Sequence, residues 1–339
     1  MKRSTISLVE IADWHNLAQA FSRAALGCGK SPAVEAFARD FDGNLVRLQE
    51  QILQQSLVLG DMRSFYIRDP KVRLIHAPCF RERVLHHALI AHIGPVLDRA
   101  LVDDTYACRK GKGALLAVRR CQQHLQRFNY FVQIDIRGYF SNINQEILYE
   151  LLRRKFKNAA VLALIKKIIT AYQSTPGLGL PIGSLTSQHF ANYYLTGLDR
   201  YLLETLKVRG MVRYMDDLLW CCDSKAQARK SLHLAQAFIQ ETLQLEVKQP
   251  PRIGRCRDGT LFCGYRVLPS RLLLSRRRKR RYIERRRFWE SQYQQGKIDA
   301  LTLQSGYSAA LAITAHTDAA SWRREQLRRQ PLDNSLLEV

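Results

Sequence analysis

The chain is short of acid. Its 339 residues hold 30 Asp and Glu against 53 Lys and Arg, a formal charge of +23. That imbalance argues against a cationic partner and is the electrostatic footprint of a polyanion binder, nucleic acid ahead of an anionic membrane surface. Long apolar runs are missing too: none approaches the roughly 18–20 residues of a spanning helix, and no secretory pattern opens the chain, so no membrane partner is expected. The eight cysteines (Cys28, Cys79, Cys108, Cys121, Cys221, Cys222, Cys256 and Cys263) show no paired C-x-x-C spacing. That excludes a zinc finger or a disulfide frame and reads as reduced, mostly buried thiols in a cytoplasmic protein. The P-loop spacing G-x-x-x-x-G-K-[ST] is absent, and there is no internal repeat.

What is present begins with Tyr214-Met215-Asp216-Asp217, two adjacent acids between apolar runs that predict a β-hairpin. An acid pair at a turn is either solvated punctuation or a pair of carboxylates neutralised by a cation. A further acid lies upstream. Tyr130-Phe131-Val132-Gln133-Ile134-Asp135-Ile136 predicts a strand with Tyr130, Val132, Ile134 and Ile136 facing a core and Phe131, Gln133 and Asp135 on the other face. Asp135 there is either solvated at an edge or joined to Asp216 as a shared metal site. Paired divalent ions on such carboxylates support in-line nucleotidyl transfer. Between the acids lies Gly177-Leu178-Gly179-Leu180-Pro181-Ile182-Gly183-Ser184-Leu185-Thr186-Ser187-Gln188, a loop whose glycines permit close backbone approach. Ser184 is expected to cap a helix presenting Leu185, Gln188, Ala191, Asn192, Leu195 and Leu198 on one side.

In this order, Phe131 to Phe140, the Leu180–Gln188 loop, Tyr214–Asp217 and Phe262-Cys263-Gly264-Tyr265 resemble the motifs of reverse transcriptases. Most of these carry Gln-Gly where this chain has Ile182-Gly183. With Ser187-Gln188, that makes it similar to the reverse transcriptases of diversity-generating retroelements. The resemblance implies an α+β right-hand polymerase: an N-terminal helical extension (1–60), interleaved fingers and palm with an antiparallel sheet (61–268), and a basic helical thumb (269–339). It implies an RNA-directed DNA polymerase making adenine-error-prone cDNA from a template-repeat RNA. Asp135, the Ile136 carbonyl, Asp216 and Asp217 would bind two Mg²⁺ ions, with Mn²⁺ as a substitute. Expected partners are template RNA, the primer–cDNA duplex, dNTPs and a small basic pentameric accessory protein, in a bacterial or phage-encoded cytoplasmic setting.

Further roles follow from the same resemblance. Lys71, Arg73 and Arg81, on and after a predicted hairpin through Arg68-Asp69-Pro70-Lys71, would close on the triphosphate, since an Arg fork matches phosphate oxygens. Phe140 would exclude a 2′-hydroxyl, Ile182, Gly183 and Gln188 would lie at the nascent pair, and Lys248 would protonate pyrophosphate. Arg109, Lys110 and Lys112, on a glycine-loosened loop before a helix at Ala114, are expected on the template backbone. Tyr214 and the Gly264-Tyr265 turn would face the primer. Arg276, Arg277, Arg280 and Arg281 lead a basic helix expected to track a duplex by phosphate contacts. The alternatives are another bacterial reverse transcriptase (retron, group II intron or phage-defence type) and a catalytically silent RNA-binding scaffold. No second acidic constellation implies an attached ribonuclease H, so polymerase chemistry is the whole expected inventory.

Overall fold

Short amphipathic helices open the chain because their apolar residues recur at helical spacing and side chains satisfy their first amides. The computed structural model describes residues 3–28, 31–68 and 71–329. Helix α1 (Leu8–Ile11) has a Ser7–Glu10 capping box, and α2 (Trp14–Ala25) is capped by Asp13 and buries Leu17, Ala20 and Ala24. They are followed by α3 (Pro32–Arg39), α4 (Phe41–Leu53), the hairpin β1 (Met62–Arg68) and β2 (Val72–Pro78), and α5 (Phe80–Asp98). Next come α6 (Ala114–Arg127), β3 (Tyr130–Asp135), α7 (Tyr139–Asn142), α8 (Gln145–Arg153), α9 (Ala159–Thr170), α10 (Leu185–Tyr194) and α11 (Thr196–Arg200). The last part holds β4 (Gly210–Tyr214), β5 (Asp217–Cys222), α12 (Lys225–Leu243), β6 (Arg252–Arg255), β7 (Thr260–Phe262), β8 (Tyr265–Val267), β9 (Leu272–Leu274), α13 (Arg276–Gln294), α14 (Ala300–Ala312) and α15 (Ala320–Arg329).

Two compact units share these elements. One comprises 1–110, 135–207 and 232–250; the other comprises 111–134, 208–231 and 251–339. In the first, α2 packs along α5, and α10 also leans on α5. The hairpin β1–β2 pairs in register from Met62↔Pro78 to Arg68↔Val72; its tip residues Asp69 and Pro70 lie outside the described residues. In the second, an antiparallel sheet runs β4-β5-β3-β6, and a three-stranded sheet runs β7-β8-β9. Helix α6 packs on β4 and β8 through buried Ala117, Val118, Cys121 and Leu125. Gly306 of α14 lets that helix lie against α13, since a Cβ there would stand 2.4 Å from the Trp289 ring. Among the described residues no helix is long and apolar enough to cross a membrane.

Three local expectations need correction. Phe131, expected on the face opposite the core with Gln133 and Asp135, is fully buried, as is Val132. The strand is interior to its sheet, and Gly254 on β6 leaves room for the Phe131 ring where any side chain would collide. Ser184 occupies the cap position of α10 without capping it, because its Oγ is engaged by His86 Nδ1 at 3.1 Å and Thr186 Oγ1 at 2.8 Å. Helix α10 buries Thr186, Ser187, Phe190, Ala191, Asn192, Tyr193 and Tyr194; of the side expected to pack, Ala191, Asn192, Leu195 and Leu198 are buried, and Gln188 is the exposed exception.

Candidate active site

In the first unit the site grows from the end of β3. The chain beyond Asp135 pairs with a returning segment: Arg137 N–H donates to the Glu246 carbonyl and Lys248 N–H to the Asp135 carbonyl, both at 2.8 Å. Ile136 and Val247 face each other between those bonds, so the amide and carbonyl of Ile136 point away from the 246–248 segment. The same pairing carries Lys248 to Asp135, with Nζ 3.0 Å from Oδ2. Both side chains are about half exposed, at 48% and 45%. In that solvated setting the pair contributes little stability, about 0–1 kcal/mol. Its value is placement: a carboxylate that already faces a cation suits a role among cations and phosphates.

Phe140 follows one turn later, half-buried, its ring edge-on to Tyr139 at 5.8 Å. Its carbonyl accepts the Leu180 N–H at 2.8 Å, which joins the Phe140 turn to the glycine-rich loop. At the other end of that loop the Ile182 carbonyl accepts the His76 N–H of β2 at 2.8 Å. Only glycine fits next to it: Gly183 has φ +122°, and a Cβ would lie 2.8 Å from Ile75 Cγ2 and 3.0 Å from the His76 carbonyl. The loop thus bridges Phe140 and the hairpin that carries exposed Lys71 and Arg73. Burial lowers the buried His86 beneath Ser184 to a pKa of about 3, so it stays neutral.

Other predicted cations point elsewhere. Arg109, only 11% exposed, is held by Asp98 at 2.7 Å and by the carbonyls of Val102 and Thr105. Its guanidinium clamps its own loop, where exposed Lys110 remains outward. Arg81 donates to Gln51 and to the Val58 carbonyl, tying α5 to the N-terminal segment.

In the second unit β4 and β5 pair from Gly210↔Cys221 to Tyr214↔Asp217, leaving Met215-Asp216 as a two-residue turn. Met215 takes φ +57°, an uncommon conformation for a side chain of its size, and the fully buried Arg213 donates to its carbonyl at 3.1 Å. Behind the acids runs a relay that the sequence reading missed. Arg252 Nη1 donates to Thr260 Oγ1 at 3.0 Å, Thr260 donates to Gln133 Oε1 at 2.6 Å, and Gln133 Nε2 donates to Asp217 Oδ1 at 3.0 Å. The one available clue was that Gln133 shares the Asp135 side of β3, two residues away. Burial first, then the Asp217 carboxylate, push the thiols of Cys121 and Cys263 up, so they remain protonated and inert.

Cys263 and Gly264 both take positive φ, +46° and +78°, in the tight turn between β7 and β8. Tyr265, expected to face nucleic acid, is instead buried, with the Arg278 guanidinium 4.0 Å over its ring, because strand alternation gives Arg266 the open face. On α13, Arg276, Arg277, Arg280 and Arg281 are exposed, whereas Arg286 is buried beside Glu290 at 3.2 Å.

Among the described residues no group of three or more His, Cys, Asp or Glu side chains is arranged to hold a metal ion. Asp135 and Ile136 in the first unit, and Asp216 and Asp217 in the second, each offer carboxylate or carbonyl oxygens, the donor type that hard divalent cations take.

The family described as reverse transcriptase (RNA-dependent DNA polymerase) matches residues 67–249. Protein YkfC of Escherichia coli is 22% identical over 71% of this chain and 77% of its own length. The group II intron-encoded protein LtrA of Lactococcus lactis is 26% identical over 42% of this chain and 25% of its own length. The solved structure of apo telomerase from Candida tropicalis superposes with a TM-score of 0.50 at 11% identity, covering 84% of this chain and 63% of that one. The last likeness shows the fold: a mixed helix–strand, right-hand polymerase with antiparallel sheets.

Proposed function

This chain belongs to the reverse transcriptase (RNA-dependent DNA polymerase) family, and on that premise we propose how its residues divide the labour of copying RNA into DNA. Asp135, the Ile136 carbonyl, Asp216 and Asp217 would hold two Mg²⁺ ions, with Mn²⁺ able to substitute. Such ions, when bound, lower the pKa of the primer hydroxyl and neutralise charge on the transferring phosphate. The chain's own residues do the rest. Lys248 stands beside Asp135 as the proton donor to departing pyrophosphate, Lys71 and Arg73 close on the triphosphate, and Phe140 rejects a 2′-hydroxyl. Exposed arginines of α13 follow the duplex backbone. The regions 1–60, 61–268 and 269–339 serve as extension, fingers with palm, and thumb of a cytoplasmic enzyme.

The observation that carries this reading is the Lys248–Asp135 pair at 3.0 Å on the strand end where the family motif sits. It is tested by primer extension on defined RNA with and without Mg²⁺. Metal-dependent dNTP incorporation supports it; RNA binding without incorporation sinks it and leaves a scaffold.

Within the family, the apolar Ile182 and the Ser187-Gln188 pair support a diversity-generating retroelement enzyme. Ile182 lacks the hydrogen bonds that glutamine would offer near the nascent pair, and a looser grip there lowers discrimination. Misincorporation opposite template adenines, followed by replacement of a variable gene region, is the proposed outcome, with a small basic pentameric protein as partner. Sequenced cDNA from Ile182→Gln should show fewer adenine errors; an unchanged spectrum would count against the assignment. The likeness to LtrA favours a second reading, an intron-type enzyme. A template repeat and variable repeat differing at adenines beside the gene would decide for the first.

A further inference from the structure

The catalytic motifs sit at one end of the β4-β5-β3-β6 sheet, and the other end holds a cavity that they leave unused. It measures about 550 Å³ and is lined by Leu125, Gln126, Phe128, Asn129, Tyr130, Arg255, Arg257 and Pro269. Tyr130 begins the strand that Asp135 ends, so five residue steps, about 16 Å, separate it from the acid. The walls are fixed. Gln126 Nε2 donates to the Pro269 carbonyl at 2.7 Å, Cys256 N–H to the Asn129 carbonyl at 2.8 Å, and Asn129 Nδ2 to the Asp223 carbonyl at 3.3 Å.

The lining combines two aromatic rings, two guanidinium groups and two side-chain amides over an apolar floor. Exposed Arg127 closes α6 beside it, and Arg209 pairs with Asp223 at 3.8 Å. Arg257 likewise stands 3.8 Å from Asp258, an exposed pair, so two acids answer Arg127, Arg209, Arg255 and Arg257 and a net positive charge remains. Aromatic faces accept any base by stacking, guanidinium forks accept phosphate, and amides reach base edges. We propose that this cavity binds one unpaired nucleotide of single-stranded nucleic acid, the RNA being copied, with the base against Phe128 and Tyr130 and the phosphate on Arg255 and Arg257. The assignment of RNA rests on the polymerase reading above; the nucleotide site itself does not. Such an anchor would retain template that has no partner strand.

The test compares the unaltered chain with the double variant Arg255→Ala/Arg257→Ala, using a labelled, unstructured RNA of about 25 nucleotides across a salt series. Binding near physiological salt should weaken about tenfold, and the slope of log K against log salt should become shallower by about 0.7, the value for the one single-strand phosphate that both guanidinium groups hold. Phe128→Leu should weaken binding several-fold without changing that slope. Extension of a short hybrid with too little overhang to reach the cavity should stay within twofold. A DNA oligonucleotide of the same length separates RNA preference from general single-strand binding, and either result upholds the nucleotide site. Unchanged affinity and slope, or a parallel loss with the short hybrid, overturns it. A chain that extends no primer at all defeats the polymerase reading instead, and the binding comparison still stands.

Discussion

Gln133 holds Asp217. Its amide Nε2 lies 3.0 Å from Oδ1, and its own oxygen is fixed by Thr260 at 2.6 Å, so the orientation of the amide leaves no ambiguity. A carboxylate meant to meet a cation must be aimed before the cation arrives, and outer hydrogen bonds do the aiming.

Gln133→Leu keeps the volume and removes these two bonds together with a third, from Nε2 to the Leu261 carbonyl at 2.9 Å. Extension should slow about 10–100-fold with Kd for primer–template unchanged. Pre-steady-state kinetics beside a thermal melt would check this; full activity in Gln133→Leu would show that the relay is only structural.

Asp216→Ala removes an acid at the turn itself. At least a thousandfold loss of extension is expected, about 4 kcal/mol of transition-state stabilisation. A correctly folded variant with near-normal extension refutes the catalytic assignment.

Gly183→Ala places a methyl group against Ile75 and the His76 carbonyl, at a φ that alanine avoids. A stability loss of about 2 kcal/mol is expected, with a raised KM for dNTP as the loop and hairpin separate. If both the melting curve and the KM of Gly183→Ala match those of the unaltered chain, the close approach has no consequence.

His86 supplies a pH signature. Burial sets its folded pKa at about 3, below the ordinary 6.5, so the unfolded chain binds the proton first as pH falls. Its contribution is fully present above about pH 6.5 and is lost progressively towards pH 3, at about 1.4 kcal/mol per unit. Denaturant midpoints measured between these limits should fall, and His86→Gln should flatten the trend.

Hairpins were the legible part of this fold. The runs Phe65–Ile67 with Val72–Ala77, and Met211–Val212 with Leu218–Cys222, alternate or stay apolar over strand lengths, and the structure pairs them as read. Burial on β3 was less legible, because the space that accepts Phe131 is made by Gly254, more than a hundred residues away. Cation roles were the weakest inference. Arg109 and Arg81 look like phosphate ligands in sequence, but their partners, the Asp98 carboxylate and the Val58 carbonyl, are internal. Charge tells what a residue carries; only packing tells where it points. Gln133 was invisible for a similar reason, since neither Asp217 nor Thr260 is near it in the chain.

Arg213 has no solvent exposure, and it clasps the Met215 carbonyl from within the sheet. Backbone strain at Met215 and the desolvation of a guanidinium are both absorbed when the protein folds. The acidic corner is therefore rigid before any substrate arrives. A cut-down peptide spanning only this hairpin would relax, scatter its two carboxylates and lose the stiffness that the intact sheet imposes.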